Sequence, residues 1–190
     1  MKNCTIRWHS RAGQGAITAS EAIAKILAEK FHTQSFSKFG AEKRGAPVEV
    51  FTRISTEKIE KNFPPKNPDF IILFDATLIN PAELSPEEIC RGTTRDSTLI
   101  SNSVAEKSPI NFPGKVFHCG ADAIARENIG REIPNVPIVG AFLAISKIFP
   151  TEKFAEKLEK ILTKNFPQKI VAGNLTAFFA GGNQFFPVKK

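Results

Sequence analysis

The chain has 190 residues, of which 42% are hydrophobic, so it is long enough to bury a full core, and its length favours one domain spanning residues 1–190. Its 26 Lys and Arg residues against 19 Asp and Glu residues give a net charge of +7, which permits an acidic partner, such as a phosphate-bearing ligand, nucleic acid or an acidic protein, but identifies none of them. The positive charges are scattered, and the densest group, from Lys153 to Lys164, alternates in sign as a solvated helix does, so nucleic-acid binding is disfavoured.

Cysteine usage and the lengths of apolar runs favour a cytoplasmic protein. Cys4, Cys90 and Cys119 are widely separated and form no C-x-x-C pair, which argues against a disulfide framework, a zinc site or an iron–sulfur cluster within this chain. The first strand begins directly after Asn3, which leaves no room for a signal peptide. The longest apolar run, residues 138–145, is too short to span a membrane.

The chain begins with a predicted strand, a turn of small residues and a helix. Cys4, Ile6 and Trp8 alternate with polar residues, which predicts a strand with one apolar face. The turn covers residues 10–15, and the helix begins near Ala16. Its buried face is predicted to hold five residues at helical spacing: Ala16, Ala19, Ile23, Ile26 and Leu27. Free N–H groups and the positive end of the helix dipole favour an anion at this turn.

The turn also has a purely structural explanation. A dinucleotide fingerprint requires glycine where Ser10 and Ala12 stand, and no acidic residue occurs between Glu29 and Glu42 to bind a ribose. NAD binding is therefore poorly supported, and tight strand-to-helix packing explains the small residues better when the turn is considered alone. For His9, at the end of the strand, a hydrogen bond to a neighbouring loop is a more common role than contact with a ligand.

A second loop is predicted from residue 35 to residue 47, before a strand at residues 48–54. In a doubly wound chain both loops lie at one edge of the sheet, where we expect any ligand or partner. Arg44 is the first candidate to face an anion, because a guanidinium binds phosphate or carboxylate with two hydrogen bonds. The other candidates are three basic residues near the loop: Lys38, Lys43 and Arg53. An intersubunit salt bridge explains each of the four at least as well.

A continuous apolar run from Asp69 to Asp75 predicts a parallel strand buried on both faces. Asp75 falls at its carboxyl end, where a turn-capping role is more common than contact with a ligand. The alternation of strands and helices predicts an α/β fold, as a single doubly wound domain with a mostly parallel sheet and helices on both faces.

The remaining elements follow from periodicity and from helix-breaking residues. We expect Pro137 to precede a helix, Thr151 to cap the next one, Gly173 to interrupt the last and Gly181 with Gly182 to close it. The predicted elements are a short helix within residues 80–97, strands at 98–101 and 115–118, and helices at 122–128, 138–149, from 151 onward, and 170–180.

Motifs of self-sufficient catalysts are missing from the sequence. It has no G-x-S-x-G nucleophile elbow, no H-E-x-x-H, no Walker loop and no close His and Cys pair. We therefore expect no catalytic residue and no metal ligand in this chain, which favours a positioning role.

Two loop motifs in tandem carry a resemblance to a known family. The first is Arg11-Ala-Gly-Gln-Gly15, and the second runs from Phe39 to Val48 and continues into the strand at 51–54. Together they closely resemble the gamma subunit or domain of the 2-oxoacid:ferredoxin oxidoreductases, most of all the pyruvate enzyme. Supporting matches extend over nearly the whole chain, at Asp75, 122–125, 135–141 and 170–175.

The resemblance implies a division of labour between subunits. Members of this family oxidatively decarboxylate a 2-oxoacid, join the acyl group to coenzyme A and reduce ferredoxin. It implies that thiamine diphosphate and 4Fe-4S clusters are carried by alpha, beta and delta partners, while the gamma part is inactive alone and covers the coenzyme A side. The residues expected to face coenzyme A are Gly13, Gln14, Gly15, Lys38, Lys43 and Arg44.

Several alternatives remain open. Branched-chain and 2-oxoglutarate enzymes are possible beside the pyruvate enzyme, since substrate choice in this family would reside mainly in other subunits. Flavodoxin is possible beside ferredoxin as the electron acceptor. A stand-alone nucleotide or coenzyme A binding module is the rival from a different class.

Overall fold

A computed structural model describes residues 3–38, 45–61, 63–80 and 82–188 of the chain. Within these ranges one sheet contains seven strands in the order β2-β3-β1-β4-β5-β6-β7. The strands are β1 (Asn3–Arg11), β2 (His32–Lys38), β3 (Pro47–Ser55), β4 (Phe70–Leu73), β5 (Thr98–Asn102), β6 (Lys115–Cys119) and β7 (Phe185–Pro187). The helices are α1 (Ala16–Leu27), α2 (Pro86–Ile89), α3 (Ala121–Ile129), α4 (Asn135–Ser146), α5 (Thr151–Thr163) and α6 (Gln168–Asn183), with a 3-10 helix at Ala76–Leu78.

The centre of the sheet is parallel and its edges are antiparallel. β1, β4, β5 and β6 pair in parallel. β3 runs antiparallel to β1, β2 antiparallel to β3, and β7 antiparallel to β6. Five of the seven described strands therefore share one direction, and the predicted α/β fold with a mostly parallel sheet and helices on both faces is confirmed. The antiparallel pairs at the edges were not predicted.

The edge strand β2 corrects the prediction of a loop starting at Ser35. Residues 35–38 form its second half and pair with β3. Polar side chains of this strand bind to α1: the Ser35 hydroxyl lies 2.6 Å from that of Ser20, and the Thr33 hydroxyl donates to the Ala24 carbonyl at 2.9 Å. Hydrogen bonds to the helix thus take the place of apolar burial, which is why a hydrophobic pattern did not reveal the strand.

The two faces of the sheet are covered unequally. The first face carries Ile6 and Trp8 of β1 and packs against α1, α3, α4, α5 and α6 in one large apolar core. The second face carries Arg7 and His9 of the same strand and is covered by α2, the 3-10 helix and loops, with a smaller apolar cluster around Leu99. Because successive strand residues point to opposite faces, the alternation predicted for β1 separates these two environments.

Glycines allow α4 and α6 to pack in close contact. A Cβ atom at Gly140 would lie 1.9 Å from a carbonyl oxygen of α6, and one at Gly181 would lie 2.0 Å from a carbonyl oxygen of α4. The predicted interruption at Gly173 and the predicted end at Gly181 and Gly182 are therefore wrong. α6 runs unbroken to Asn183, because its glycines serve helix packing rather than helix termination.

Two other helix boundaries differ from the predictions. α4 begins and ends earlier than predicted, and Pro137 lies within its first turn, where a missing N–H is tolerated because that group has no acceptor inside the helix. Lys147, with a φ of 51°, ends α4. The N-cap position of α5 is held by Pro150, so the predicted capping by the Thr151 hydroxyl is wrong.

Candidate functional site

The candidate site lies at the carboxyl ends of β1 and β4, where the winding of the sheet reverses. β1 continues into α1 on the first face, whereas β4 continues into the 3-10 helix and α2 on the second face. In open α/β sheets this divergence leaves a crevice in which ligands commonly bind. Residues 10–15 lie at the end of β1 and Asp75 follows β4, and hydrogen bonds from Arg11 and Gln14 to Asp75 join the two strand ends.

The two predicted loops meet at this edge. The Ala12 amide donates to the Ala46 carbonyl at 2.9 Å, and the Gly45 amide donates to the Ala12 carbonyl at 3.1 Å. The Arg11 guanidinium donates to the Gly45 carbonyl at 3.1 Å. These bonds continue the pairing of β1 with β3 beyond the strand ends, so the described ends of both loops share one edge, as expected.

The guanidinium group of Arg11 lies at this site, and carboxylates of the same chain neutralise its charge. Its Nη1 and Nη2 atoms each donate to the Glu83 carboxylate at 2.7 Å. Its Nε atom donates to the Asp75 carboxylate at 3.1 Å. The Gln14 amide links the same groups, because it donates to Asp75 at 3.1 Å and accepts from the Arg11 backbone amide at 2.7 Å. Arg11 and Gln14 thereby fix the glycine loop against β4.

This network lowers the pKa of both carboxyl groups. The hydrogen bond from Arg11 lowers the pKa of Glu83 to about 2. Burial acts to raise the pKa of Asp75, but hydrogen bonds, chiefly from Thr77, and the charge of Arg11 outweigh it and lower the pKa. Both groups are therefore ionised at neutral pH. Asp75 also accepts from the Thr77 amide at 2.9 Å, the turn-capping role expected from the sequence.

Two glycines of the loop have left-handed backbone conformations. The φ angles are 101° at Gly13 and 86° at Gly15, in a region that other residues rarely adopt. A Cβ atom at Gly13 would meet no described atom within 4 Å, whereas one at Gly15 would lie 2.8 Å from the Asn135 amide nitrogen. Gly15 is the N-cap of α1 and offers no side chain to its N–H groups. The amino end of α1 therefore keeps donors for an anion.

Lys38 lies beside a separate cavity on the second face. The cavity measures about 270 Å³ and is lined by Lys38, His9, Glu49, Glu83 and Arg91 among others. In the sheet register, Lys38 lies opposite Glu49, and Glu49 lies opposite His9. Glu83 links this cavity to the crevice through its bond to Arg11. The structure therefore brings Gly13, Gln14 and Gly15 together and places Lys38 in the neighbouring cavity.

His9 is buried in the wall of this cavity, with 3% of its surface exposed. Its Nε2 atom has no hydrogen-bond partner among the described residues, so the loop contact that was considered the more common role is not found there. Burial, followed by the charges of Arg7 and Arg91, lowers the pKa of His9 to about 3. The imidazole is therefore neutral at physiological pH.

Arg53 serves the fold and not the site. It is 7% exposed and donates to the Gln34 side chain and to the Lys61 carbonyl, both at 2.8 Å. It also donates to the Phe63 carbonyl, and its guanidinium stacks on the Phe36 and Phe63 rings. The prediction that Arg53 faces an anion is wrong, because its donors hold β2 and the segment after β3.

Two predicted contacts, Lys43 and Arg44, lie outside the described residues, with the rest of residues 39–44. In the part of the chain that is described, no three His, Cys, Asp or Glu side chains gather as a metal site requires. All three cysteines are free thiols. Across the same ranges, no helix combines the length and the apolar character needed to cross a membrane.

Sequence reasoning missed the pairing of Arg11 with Glu83. The two residues are 72 positions apart, and Glu83 lies in a stretch predicted only as a short helix with loops. The usable signal was the position of Arg11 directly after a strand at the expected ligand edge. A guanidinium at such a place needs carboxylates from neighbouring strand ends.

Known proteins resemble this chain over almost its full length. A family model described as pyruvate ferredoxin/flavodoxin oxidoreductase matches residues 5–184. Pyruvate synthase subunit PorC of Thermotoga maritima is 37% identical over 181 residues, which cover 93% of this chain and 91% of that protein. The common subunit gamma of the pyruvate/ketoisovalerate oxidoreductases of Thermococcus kodakarensis is 30% identical over 170 residues, 86% of this chain and 89% of that protein.

A solved structure shares the fold described above. The crystal structure of pyruvate oxidoreductase subunit PORC from Thermotoga maritima matches with a TM-score of 0.82 at 34% identity, covering 100% of both chains. The sequence resemblance, the fold and the family model therefore agree. This chain belongs to the pyruvate ferredoxin/flavodoxin oxidoreductase family.

Proposed function

We propose that this chain is the gamma subunit of a pyruvate:ferredoxin oxidoreductase, the enzyme that oxidatively decarboxylates pyruvate to acetyl-CoA and reduces ferredoxin. The observation that carries the proposal is the 37% identity to a pyruvate synthase subunit PorC over 93% of the chain. We place the chain in the cytoplasm, in one complex with alpha, beta and delta subunits and without a complete active site of its own.

In this proposal the partner subunits hold thiamine diphosphate and the 4Fe-4S clusters, which supply the carbanion and electron-transfer chemistry. The charged groups of this chain support a positioning role. Asp75 and Glu83 are ionised and bound to Arg11, so neither is free to donate a proton at neutral pH. His9 is neutral and buried, and its pKa of about 3 makes it a weak base.

We further propose that the glycine loop faces the coenzyme A side of the assembled site. The space in front of Gly13, which no described atom fills, and the uncapped amino end of α1 suit a phosphate group. Gln14 holds the loop in place through Asp75, and Gly15 provides the close approach to α4. The proposed basic contacts are Lys38, Lys43 and Arg44, with an intersubunit salt bridge as the alternative for each.

A gamma subunit shared between two enzymes is the second candidate. The 30% identity to a common subunit gamma of pyruvate and ketoisovalerate oxidoreductases favours it specifically. In that case the chain would be recovered in two complexes with different substrate preferences. A panel of 2-oxoacids separates the two candidates.

Affinity capture of the tagged chain from its native cells under strict anaerobiosis tests the subunit role. The captured material is assayed for viologen reduction with pyruvate, 2-oxoisovalerate and 2-oxoglutarate, each with and without coenzyme A. Coenzyme A-dependent oxidation of pyruvate by a cluster-bearing complex is expected. Recovery of the chain alone, while all pyruvate oxidation stays in the unbound fraction, would favour the stand-alone binding module.

Substitution of a proposed basic contact tests the coenzyme A side. Arg44→Met in the assembled complex should raise the KM for coenzyme A about tenfold, the loss of one charge-assisted contact, with little change in kcat. Arg95→Met, at an exposed position in the segment after α2, is the matched control. Weakened assembly at unchanged KM would assign Arg44 to an intersubunit salt bridge instead.

A further inference from the structure

We propose that the cavity beside His9 on the second face is a binding subsite for a small anion that carries a phosphate or carboxylate group. The cavity measures about 270 Å³. A water molecule takes up about 30 Å³ of liquid, so the space has room for a diphosphate or a small 2-oxoacid. The isolated chain contains every residue on which the inference rests, so it does not depend on the subunit assignment.

The first argument is the state of His9. The residue is almost completely buried, lines the cavity, and leaves its Nε2 atom without a partner among the described residues. A buried polar group without a hydrogen bond costs about 1–3 kcal/mol. The Nε2 atom itself is closed off from the cavity, so a ligand would offset this penalty by drawing the ring toward the cavity and hydrogen-bonding to it. Since the ring is neutral, it offers both a donor and an acceptor nitrogen.

The second argument is the presence of two cations at the cavity. The Arg91 guanidinium is 61% exposed, and its nearest nitrogen lies 3.5 Å from the Glu49 carboxylate, which is long for a hydrogen bond. Arg91 can therefore turn toward a ligand without giving up a strong contact. Lys38 lines the cavity at the end of β2, and none of the ion pairs between described residues involves it.

The carboxylates in the cavity wall are already engaged. Glu83 is bound by both terminal nitrogens of Arg11. Glu88 accepts a hydrogen bond from the Ser85 amide at 3.0 Å within the capping box of α2. Glu49 lies between two guanidinium groups, at 3.5 and 3.9 Å. Glu83 is therefore neutralised by Arg11 and Glu49 by its two guanidinium neighbours, whereas Glu88 keeps its negative charge at the wall.

Arg7 adds positive potential behind the cavity. Its guanidinium is buried and donates to the carbonyl oxygens of Ile89 and Arg91 at 2.8 and 2.7 Å, while its Nε atom has no partner among the described residues. It approaches Glu49 only to 3.9 Å. An anion in the cavity would thus lie near three cationic side chains whose charges the described carboxylates only partly compensate.

Histidine NMR of the full-length chain tests the subsite. The sequence holds three histidines, so a chain with labelled imidazoles gives few signals, and His9→Gln assigns those of His9. The chain is titrated with sodium pyrophosphate and, separately, with sodium pyruvate at constant ionic strength. We expect a saturable shift of the His9 signals with at least one anion. Tighter binding of pyrophosphate would assign a phosphate-bearing ligand, and tighter binding of pyruvate a carboxylate.

Two arginine variants provide a matched pair for this titration. Arg91→Met should weaken binding at least about fivefold, because it removes a charge-assisted contact, whereas Arg95→Met should leave binding unchanged. Both positions are exposed, so neither substitution threatens folding. The absence of a saturable His9 shift at about 20 mM of either anion, or equal binding by both variants, would overturn the proposal.

Discussion

The two faces of the sheet bury different kinds of residue at the same depth. On the first face, Ile6 and Trp8 join an apolar core closed by five helices. On the second face, the buried positions of the central strands include Arg7, His9 and His118, under one short helix and loops. Apolar burial stabilises the fold, whereas burial of polar groups opposes it unless they find partners. Apolar burial on the first face therefore offsets the free-energy cost of the buried polar groups on the second face.

Buried polar atoms without hydrogen-bond partners show the same difference between the two faces. Among the described residues, the buried side-chain atoms without a hydrogen-bond partner all lie on the second face: Arg7 Nε, His9 Nε2, Ser101 Oγ and His118 Nε2. Each such group costs about 1–3 kcal/mol. The second face therefore combines a small apolar cluster with buried polar groups, and the candidate site lies at its carboxyl edge.

Truncation of the first-face core should have the largest effect. Phe154 is fully buried, and its ring stacks on Phe178 at 5.6 Å between centroids. Phe154→Ala should lower the free energy of unfolding by about 3–5 kcal/mol, measured by urea denaturation. Phe166→Ala, at a position that is 49% exposed, is the control and should change it by less than about 1 kcal/mol. Similar losses in both variants would contradict a first-face core packed around Phe154.

Substitutions at the close contact between α4 and α6 on the first face should have the next largest effect on stability. A Cβ atom at Gly181 would lie 2.0 Å from a backbone oxygen, whereas one at Gly182 would lie 3.4 Å from its nearest neighbour. Gly181→Ala should therefore destabilise by about 2–3 kcal/mol, and Gly182→Ala by less than about 0.5 kcal/mol. Thermal and urea unfolding measure both. Equal stability of the two variants would show that α4 and α6 are not in close contact.

The pH dependence of stability tests the burial of His9 on the second face. The pKa of His9 is about 3 in the folded chain against an ordinary 6.5, so the unfolded chain binds one more proton between these values. Stability should fall as the pH drops through this window, by up to about 1.4 kcal/mol per pH unit from this residue. His9→Gln should show a slope of stability against pH that is shallower by this amount. An equal slope in the wild type and in His9→Gln would contradict a buried neutral His9.

Among the four test substitutions, Arg11→Met should give the smallest effect on stability. The pKa of Glu83 is lowered to about 2 in the folded chain, so the pair contributes fully above the ordinary carboxyl pKa and loses its contribution as the pH falls toward 2. The difference in Tm between wild type and Arg11→Met should follow that course. Arg126→Met breaks a pair whose side chains are 63% and 57% exposed, against 23% and 28% for Arg11 and Glu83. It should cost less, and an equal or larger loss would contradict a structured Arg11 network.

Local patterns in the sequence predicted the first face well. The spacing of Ala16, Ile23 and Leu27 predicted α1 and its buried side, and the apolar run before Asp75 predicted β4. The two loops meet because β3 runs antiparallel to β1, which places the loop before β3 beside the end of β1, and this antiparallel pairing was not predicted. Features that depend on contacts distant in sequence were missed. β2 is held by hydroxyl groups, and the glycines of α6 are explained only by the neighbouring helix.

The site was predicted only in part, because the sequence again revealed local features and missed contacts between distant residues. The sequence pointed to Gly13 and Gly15 because a strand, a turn of small residues and a helix are local features. It misassigned Arg53, because a guanidinium predicts an anion contact until its aromatic and carbonyl neighbours are known. It left open whether His9 contacts a ligand, and the cavity beside it appears only when β1, β3 and the segment after α2 are brought together.

The assembled enzyme offers the most direct test of the subunit role. The alpha, beta and delta partners are co-expressed with and without this chain, and viologen reduction is measured with pyruvate and coenzyme A under anaerobic conditions. Turnover should require the complete set and be absent from this chain alone. Undiminished turnover without the chain, or turnover by the purified chain by itself, would contradict a positioning gamma subunit.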